Sequence, residues 1–299
     1  MKVLLKERLP VLKLLHKKRI HLFMFFMSVA IIFFITLFMQ KVQAKTPNVK
    51  LSGIIEQGAL ILGKTTINNS VYLDDKKLPL STEGDFVFGF SRDDTKTHQL
   101  IIINSNNERL IKKLTPIKRQ YKIQRITGIA KKIMQPDPKA IAHIKKDNQQ
   151  IAKARSINSL LDDFAQGFIA PNSGKITGVY GSQRVFNGVK KRPHFGLDFA
   201  ATKGAPVIAP ADGVVTLFVA DMFYSGGTLL IDHGHGISSS FLHLSKSYVK
   251  KGDKITKGKK IAEVGSSGRA TGPHLDWRIN WFEMRLDPAL ALKVIPLNR

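Results

Sequence analysis

The 299-residue chain contains no cysteine, which removes a disulfide scaffold, thiolate metal ligands, a cysteine nucleophile and iron–sulfur chemistry together. Any metal it holds must sit on histidines and carboxylates. Acidic side chains are scarce as well: 22 Asp and Glu stand against 47 Lys and Arg, a net charge of +25. That excess runs along the whole chain and favours polyanionic surroundings, such as anionic head groups or an acidic wall polymer. Nucleic acid is not an expected partner, because no recognition helix, finger or aromatic platform accompanies the charge. A hydrophobic content of 43% is too high for a disordered chain and ample for one or two packed cores.

Long uncharged runs are absent but for one. Residues 20–39 carry no charge and follow Lys17, Lys18 and Arg19. Twenty residues at about 1.5 Å each span the roughly 30 Å hydrocarbon core of a bilayer. The basic flank is expected to stay cytoplasmic, sending the remainder across the inner membrane. Val42-Gln43-Ala44 has the small residues of a signal-peptidase site, so residues 1–44 read as a retained anchor or a cleaved signal, the anchor favoured by the length of the run.

Residues 45–130 show short apolar stretches broken by turn residues. Seven strands are expected, at 49–55, 60–65, 71–73, 86–90, 99–103, 110–114 and 121–126, and their spacing suggests an immunoglobulin-like β-sandwich. Residues 109–132 hold nine basic side chains and no acidic one, which fits a solvated strand edge or a contact with an anionic surface. Residues 131–166 read as a helical connector. Asp137 and Pro138 open it as N-cap and first-turn proline, and Ile141, Ile144 and Ile151 recur at helical spacing.

The last segment, 167–299, is rich in Gly and Pro, lacks a long amphipathic helix and reads as mostly β. Five of the nine histidines fall here: His194, His233, His235, His243 and His274. In RPHFGLDFA, His194, Gly196 and Asp198 share one face of an extended strand, while Phe195, Leu197 and Phe199 share the other. In GPHLDWRIN, His274, Asp276 and Arg278 alternate in the same way with Leu275, Trp277 and Ile279. His243 lies between Leu242 and Leu244. Two imidazole–carboxylate pairs and a third histidine can supply three N/O ligands to a tetrahedral zinc and leave two imidazoles for proton transfer. His233-Gly234-His235 is a weaker competitor that reads as a strand end and turn. No Ser-His-Asp arrangement is legible.

Residues 168–290 go beyond pattern. Through ITGVYGSQR, HFGLDFAATKGAPVIAPADGVV, GGTLLIDHGHGISSSFLHLS and VKKGDKITKGKKIAEVGSSGRATGPHLDW they resemble the lysostaphin/LytM-type zinc endopeptidases of peptidoglycan. The resemblance implies a mainly β architecture with a LytM-type antiparallel peptidase domain at 167–299. It implies one zinc ion per chain, with His194 and Asp198 as ligands from the family's His-x-x-x-Asp. The family's His-Leu-Ser segment implies His243 as a catalytic histidine. The family's His-x-His implies His274 as the second catalytic histidine and the position of Asp276 as the third ligand. Tyr180 and Arg184 stand where the family's substrate groove begins.

The implied activity is hydrolysis of peptide cross-links in peptidoglycan, in the periplasm. The alternative is an inactive murein-binding LytM-type module that activates a wall amidase. Protein partners are not legible. One departure stands out: the family's usual His-Leu-His is here His274-Leu275-Asp276. Two carboxylates and one imidazole would cancel the +2 of the metal and weaken it as a Lewis acid. The survival of His194, Asp198, His243 and His274 still points to activity.

Overall fold

The computed structural model describes residue 27 and residues 46–128 and 137–297. But for Met27, the uncharged run at 20–39 lies outside the described residues, as does the Val42-Gln43-Ala44 site. Among the described residues no helix is long and apolar enough to cross a membrane. Residues from Pro47 onward form one compact unit.

The front half forms β1 (Lys50–Ser52), β2 (Leu60–Lys64), β3 (Ser70–Leu73), β4 (Lys76–Leu78), β5 (Asp85–Gly89), β6 (His98–Ile103), β7 (Arg109–Leu114) and β8 (Ile123–Ile126). Two sheets result, β1-β2-β5 and β4-β3-β6-β7. Their inward rows, including Leu60, Leu62, Phe86, Phe88, Val71, Leu100 and Ile102, are buried in one cluster. Two features depart from the sequence expectation. Lys76–Leu78 pairs with β3 across a turn at Asp74-Asp75, and its two lysines hide it from a hydrophobic pattern search. The last expected strand leaves the sandwich: β8 is mostly exposed and pairs in parallel with residues Gln183–Phe186 of the second half. The basic run begins on β7, an edge strand whose Arg109, Lys112 and Lys113 are exposed.

Helix α1 (Pro138–Arg155) starts at the expected proline, with the Asp137 carbonyl accepting from Ala140 N–H at 2.9 Å. Its buried residues are Asp147, Ala154 and Arg155, whereas Ile141 is 53% exposed. Ile144 and Ile151 are half-buried at helical spacing with Asp147 and Ala154, and only Ile141 of the isoleucine row turns outward. Asp147 accepts the Phe223 N–H at 2.8 Å, and that bond fixes the rotation of the helix.

The second half runs through β9 (Lys175–Gly178), β10 (Gln183–Phe186), β11 (Val189–Lys190), β12 (Leu197–Ala200), β13 (Pro206–Ile208), β14 (Gly213–Met222), β15 (Gly226–Gly234), β16 (Ile237–Ser247), β17 (Lys254–Ile255), β18 (Lys260–Val264), β19 (His274–Trp281), β20 (Met284–Leu286) and α2 (Pro288–Ala291). Its main sheet is antiparallel, in the order β17-β14-β15-β16-β19-β12-β9. The alternation in β12 and β19 buries Leu197, Phe199, Leu275, Trp277 and Ile279 on one side.

The halves are locked together. Leu286 packs so closely on Gly89 that a Cβ there would lie 2.6 Å from Leu286 Cδ2. Arg92 donates twice to the Gly181 carbonyl, at 3.0 and 2.7 Å. Arg119 Nη1 meets the buried Asp287 carboxylate at 2.8 Å. Asp287 in turn donates its N–H to Gly58 O at 2.7 Å and caps α2 through Ala289 N–H. Removing one partner of such a pair strands a buried charge, which typically costs about 3 kcal/mol. Arg119→Met is expected to lower the urea-unfolding free energy by about that amount. A loss below about 0.5 kcal/mol would show that the pair does not hold the halves together.

Candidate metal centre and active site

Strand register assembles the site. Across the β12–β19 ladder Asp198 faces Asp276 and Ala200 faces His274, while Leu242 of β16 faces Asp276 from the other side. Directly opposed residues in an antiparallel pair point to the same face. His194, on the loop entering β12, brings its Nε2 to 3.1 Å from Asp198 Oδ1. His194, Asp198 and Asp276 offer one ligand atom each, all within 4.8 Å of one another.

His243 reaches this face by a local distortion. Gly227 pairs with Leu244 and Leu229 with Phe241, so Leu242 and His243 together stand opposite the single residue Thr228. The extra residue is a β-bulge, and His243 adopts φ +65°, a left-handed conformation that costs a non-glycine residue on the order of 1 kcal/mol. The bulge turns its ring toward His274, with centroids 4.7 Å apart. His243 Nδ1 is bonded to Ser267 O and His274 Nδ1 to Gly272 O, both at 2.8 Å. A carbonyl partner requires N–H at Nδ1, which leaves both Nε2 atoms for the site.

The electrostatics differ at each residue. Burial lowers the pKa of His243 against the opposing pull of the Ser267 carbonyl, which keeps the ring neutral and basic at Nε2. Burial also works against the charged form of His194, but the Asp198 and Asp276 carboxylates outweigh it and raise its pKa. Asp276 is buried, yet Arg278 holds its carboxyl well below the usual carboxylate range. Arg278 Nε lies 3.0 and 3.1 Å from the two Asp276 oxygens, and Nη2 bonds to Oδ2 as well.

The donor set fits zinc. Tetrahedral zinc with N and O ligands at 2.0–2.2 Å places neighbouring ligand atoms about 3.3–3.6 Å apart. His194 Nε2 and Asp198 Oδ1 are both buried and neither has a well-directed hydrogen bond. Buried polar atoms left in this state signal a missing partner. A carboxylate has lone pairs enough to accept from Arg278 and still ligate a metal, as ligating carboxylates commonly do. The charge count made from sequence needs correction here: Arg278 offsets Asp276, and the ligand with its partner is formally neutral, as an imidazole is.

Two other histidines lie outside this cluster. His233 is fully buried, bonded to Asp212 O and Ser239 Oγ, and burial lowers its pKa to about 4. His235 packs its ring on Phe164 at 4.8 Å. Tyr180 and Arg184 are not brought to the metal cluster. Tyr180 is 3% exposed, donates its hydroxyl to Arg285 O and packs against Tyr121 of the front half. Arg184 is exposed on β10, in the small sheet shared with β8. Ser267, whose carbonyl orients His243 and whose Oγ bonds to Gly227 N–H and Leu244 O, carries no sequence signal beyond a glycine-flanked serine pair.

Residues 192–288 match the model of peptidase family M23. They form an M23 peptidase domain. The chain is 33% identical over 168 residues to the peptidoglycan DD-endopeptidase ShyA of Vibrio cholerae, covering 54% of this chain and 38% of that protein. The DD-carboxypeptidase/endopeptidase Mpg of Neisseria meningitidis is 43% identical over 91 residues, 30% of this chain and 21% of that one. Among solved structures, a protein described as a candidate M23 peptidase from Pseudomonas aeruginosa superposes with a TM-score of 0.58 at 26% identity, over 83% of this chain and 95% of its own. The chain spans well under half the length of the curated relatives it matches.

Gly196 is the tightest point of the M23 site: a Cβ there would fall 1.9 Å from Asp276 Oδ1. Gly196→Ala must displace that carboxylate, and zinc affinity is expected to fall by about 10–100-fold in a competition titration with a chromogenic chelator. Unchanged affinity would show that the observed Asp276 position is not the one a metal needs.

Proposed function

We propose that the chain is a zinc-dependent endopeptidase that hydrolyses peptide cross-links of peptidoglycan outside the cytoplasm. The observation that carries this reading is the convergence of His194, Asp198 and Asp276 beside the paired rings of His243 and His274. The relatives named as peptidoglycan endopeptidases support the substrate class. On this reading residues 1–44 deliver the chain to the membrane, 45–130 form a β-sandwich module, 131–166 the connector and 167–299 the peptidase.

His194, Asp198 and Asp276 would hold the metal. Zinc bound there supplies a Lewis acid for the scissile carbonyl and brings the pKa of a water toward about 7. His243 and His274 do the proton work. His243, neutral through burial, accepts a proton at Nε2 while its Nδ1–H stays on Ser267 O. His243 then gives that proton to the leaving amine, while His274, its Nδ1–H held by Gly272 O, donates to the developing oxyanion in the form that also carries a proton on Nε2. Such general acid–base assistance is worth about 10²–10⁴-fold. Arg278 keeps Asp276 ionised and aimed, so the aspartate serves where the family has histidine.

His243→Ala is expected to retain one equivalent of zinc and lose wall hydrolysis by about 10²–10⁴-fold. Asp198→Ala is expected to lose both. Metal analysis beside release of soluble wall fragments checks the pair. Loss of zinc in His243→Ala would overturn the division between ligands and proton carriers. A folded, metal-free wild-type protein that binds wall without cutting it would leave the amidase-activating alternative.

A further inference from the structure

The face of β19 that carries His274 and Asp276 continues past the metal site into a concentration of arginines. Arg278 and Asn280 follow on the same face, and Asn280 is paired across β20 with Arg285, whose Nη1 donates to Asn280 Oδ1. Arg155 enters from the C-terminal end of α1. Its side chain is only 5% exposed, its Nη2 lies 3.6 Å from Glu283 in the β19–β20 turn, and its Nη1 is buried with no hydrogen bond. Arg192, exposed and two residues before His194, lies with its guanidinium 5.6 Å from the centroid of the Phe195 ring. Burial first, then the charges of Arg155, Arg278 and Arg192, bring the Arg285 guanidinium down to about 8. Burial first, with Arg192 and Arg278 and against the opposing pull of Glu283, brings Arg155 down to about 10.

The four guanidinium groups face three carboxylates, Glu283, Asp276 and Asp198, of which Asp276 is bonded to Arg278 and Asp198 belongs to the metal cluster. Gathering like charges in a half-buried place is unfavourable unless a counter-charge enters. Arginine's planar fork matches a carboxylate in particular, with two parallel N–H donors. Along a strand, residues on one face repeat about every 6.8 Å, so Arg278 and the Asn280–Arg285 pair stand about 7 and 14 Å from the Asp276 position. An extended peptide covers that distance in two to four residues.

We infer that Arg155, Arg192, Arg278 and Arg285 form a subsite for a carboxylate borne by the substrate peptide, two to four residues from the bond that is cut. The inference rests on the proposed endopeptidase function and deepens it by naming the chemical group that positions the substrate.

The test uses the full chain and two probes: a cross-linked peptide dimer with free carboxylates, and the same dimer with every carboxylate amidated. Binding to chelator-treated protein is measured by calorimetry, with inorganic phosphate as a third probe, and kcat and KM are measured on zinc-loaded protein. The free-carboxylate dimer is expected to bind about tenfold more tightly than the amide, the effect of one hydrogen-bonded charge. Arg285→Gln and Arg192→Gln should each remove most of that preference and raise KM for the free-carboxylate dimer, leaving KM for the amide near its starting value. The exposed Arg192 keeps the test open if the Arg285 variant does not fold. Equal binding of the two dimers, or a preference that survives both substitutions, overturns the subsite. Phosphate binding that the variants abolish, without competition from the free-carboxylate dimer, also overturns it in favour of a free-anion site. If neither dimer is cut but metal-free protein still prefers the carboxylate form through these arginines, the subsite stands and the hydrolytic reading falls.

Discussion

Asp198 lies opposite Asp276 across one ladder, and Asp276 lies opposite Leu242 across the next. A slip of one residue in either pairing would turn a carboxylate to the apolar side and Trp277 or Phe199 to the polar one. The buried row of Leu197, Phe199, Leu275, Trp277 and Ile279 forbids that slip, so hydrophobic packing on one face fixes polar geometry on the other. His243 is the exception. Its left-handed backbone at a bulge sets it beside His274, and the bonds from Ser267 to Gly227, Leu244 and the His243 ring hold the distortion.

Charge is the second constraint. A buried carboxylate such as Asp276 is expensive unless paired, and Arg278 pairs it from two residues away on the same strand face. The partner restores the balance that an aspartate in place of histidine would upset. The same arginine begins the cationic row that runs toward Arg285, so ligand orientation and the proposed substrate contact share one strand.

The sequence made much of this legible because period-two alternation in β12 and β19 is strict. It placed Asp198, His274 and Asp276 on the faces they take, whereas His194, expected on the same strand, lies on the loop before β12. What it hid has physical causes. Lys76–Leu78 is a strand by pairing rather than by hydrophobicity. The inward face of α1 carries, beside Ile144 and Ile151, a buried Asp147 bonded to Phe223 N–H, a polar contact that the isoleucine spacing does not encode. Tyr180 stands close in sequence to the predicted groove but is sealed by Tyr121 and Gly58 of the front half, contacts that no local pattern encodes. Arg155 and Arg285 are separated from the metal residues by chain distance or by a turn, and only the packing of α1 and β20 brings them near.

The central claim is that Asp276, while bonded to Arg278, completes a three-ligand zinc centre with His194 and Asp198. X-ray absorption at the zinc edge of the zinc-loaded full chain, compared with its Asp276→Asn variant, tests it most directly. The account predicts a four-coordinate centre with one imidazole nitrogen and oxygen donors at about 2.0–2.2 Å, and loss of most of the zinc in the variant. A wild-type centre with two or more imidazole ligands, or full zinc occupancy in Asp276→Asn, would contradict it.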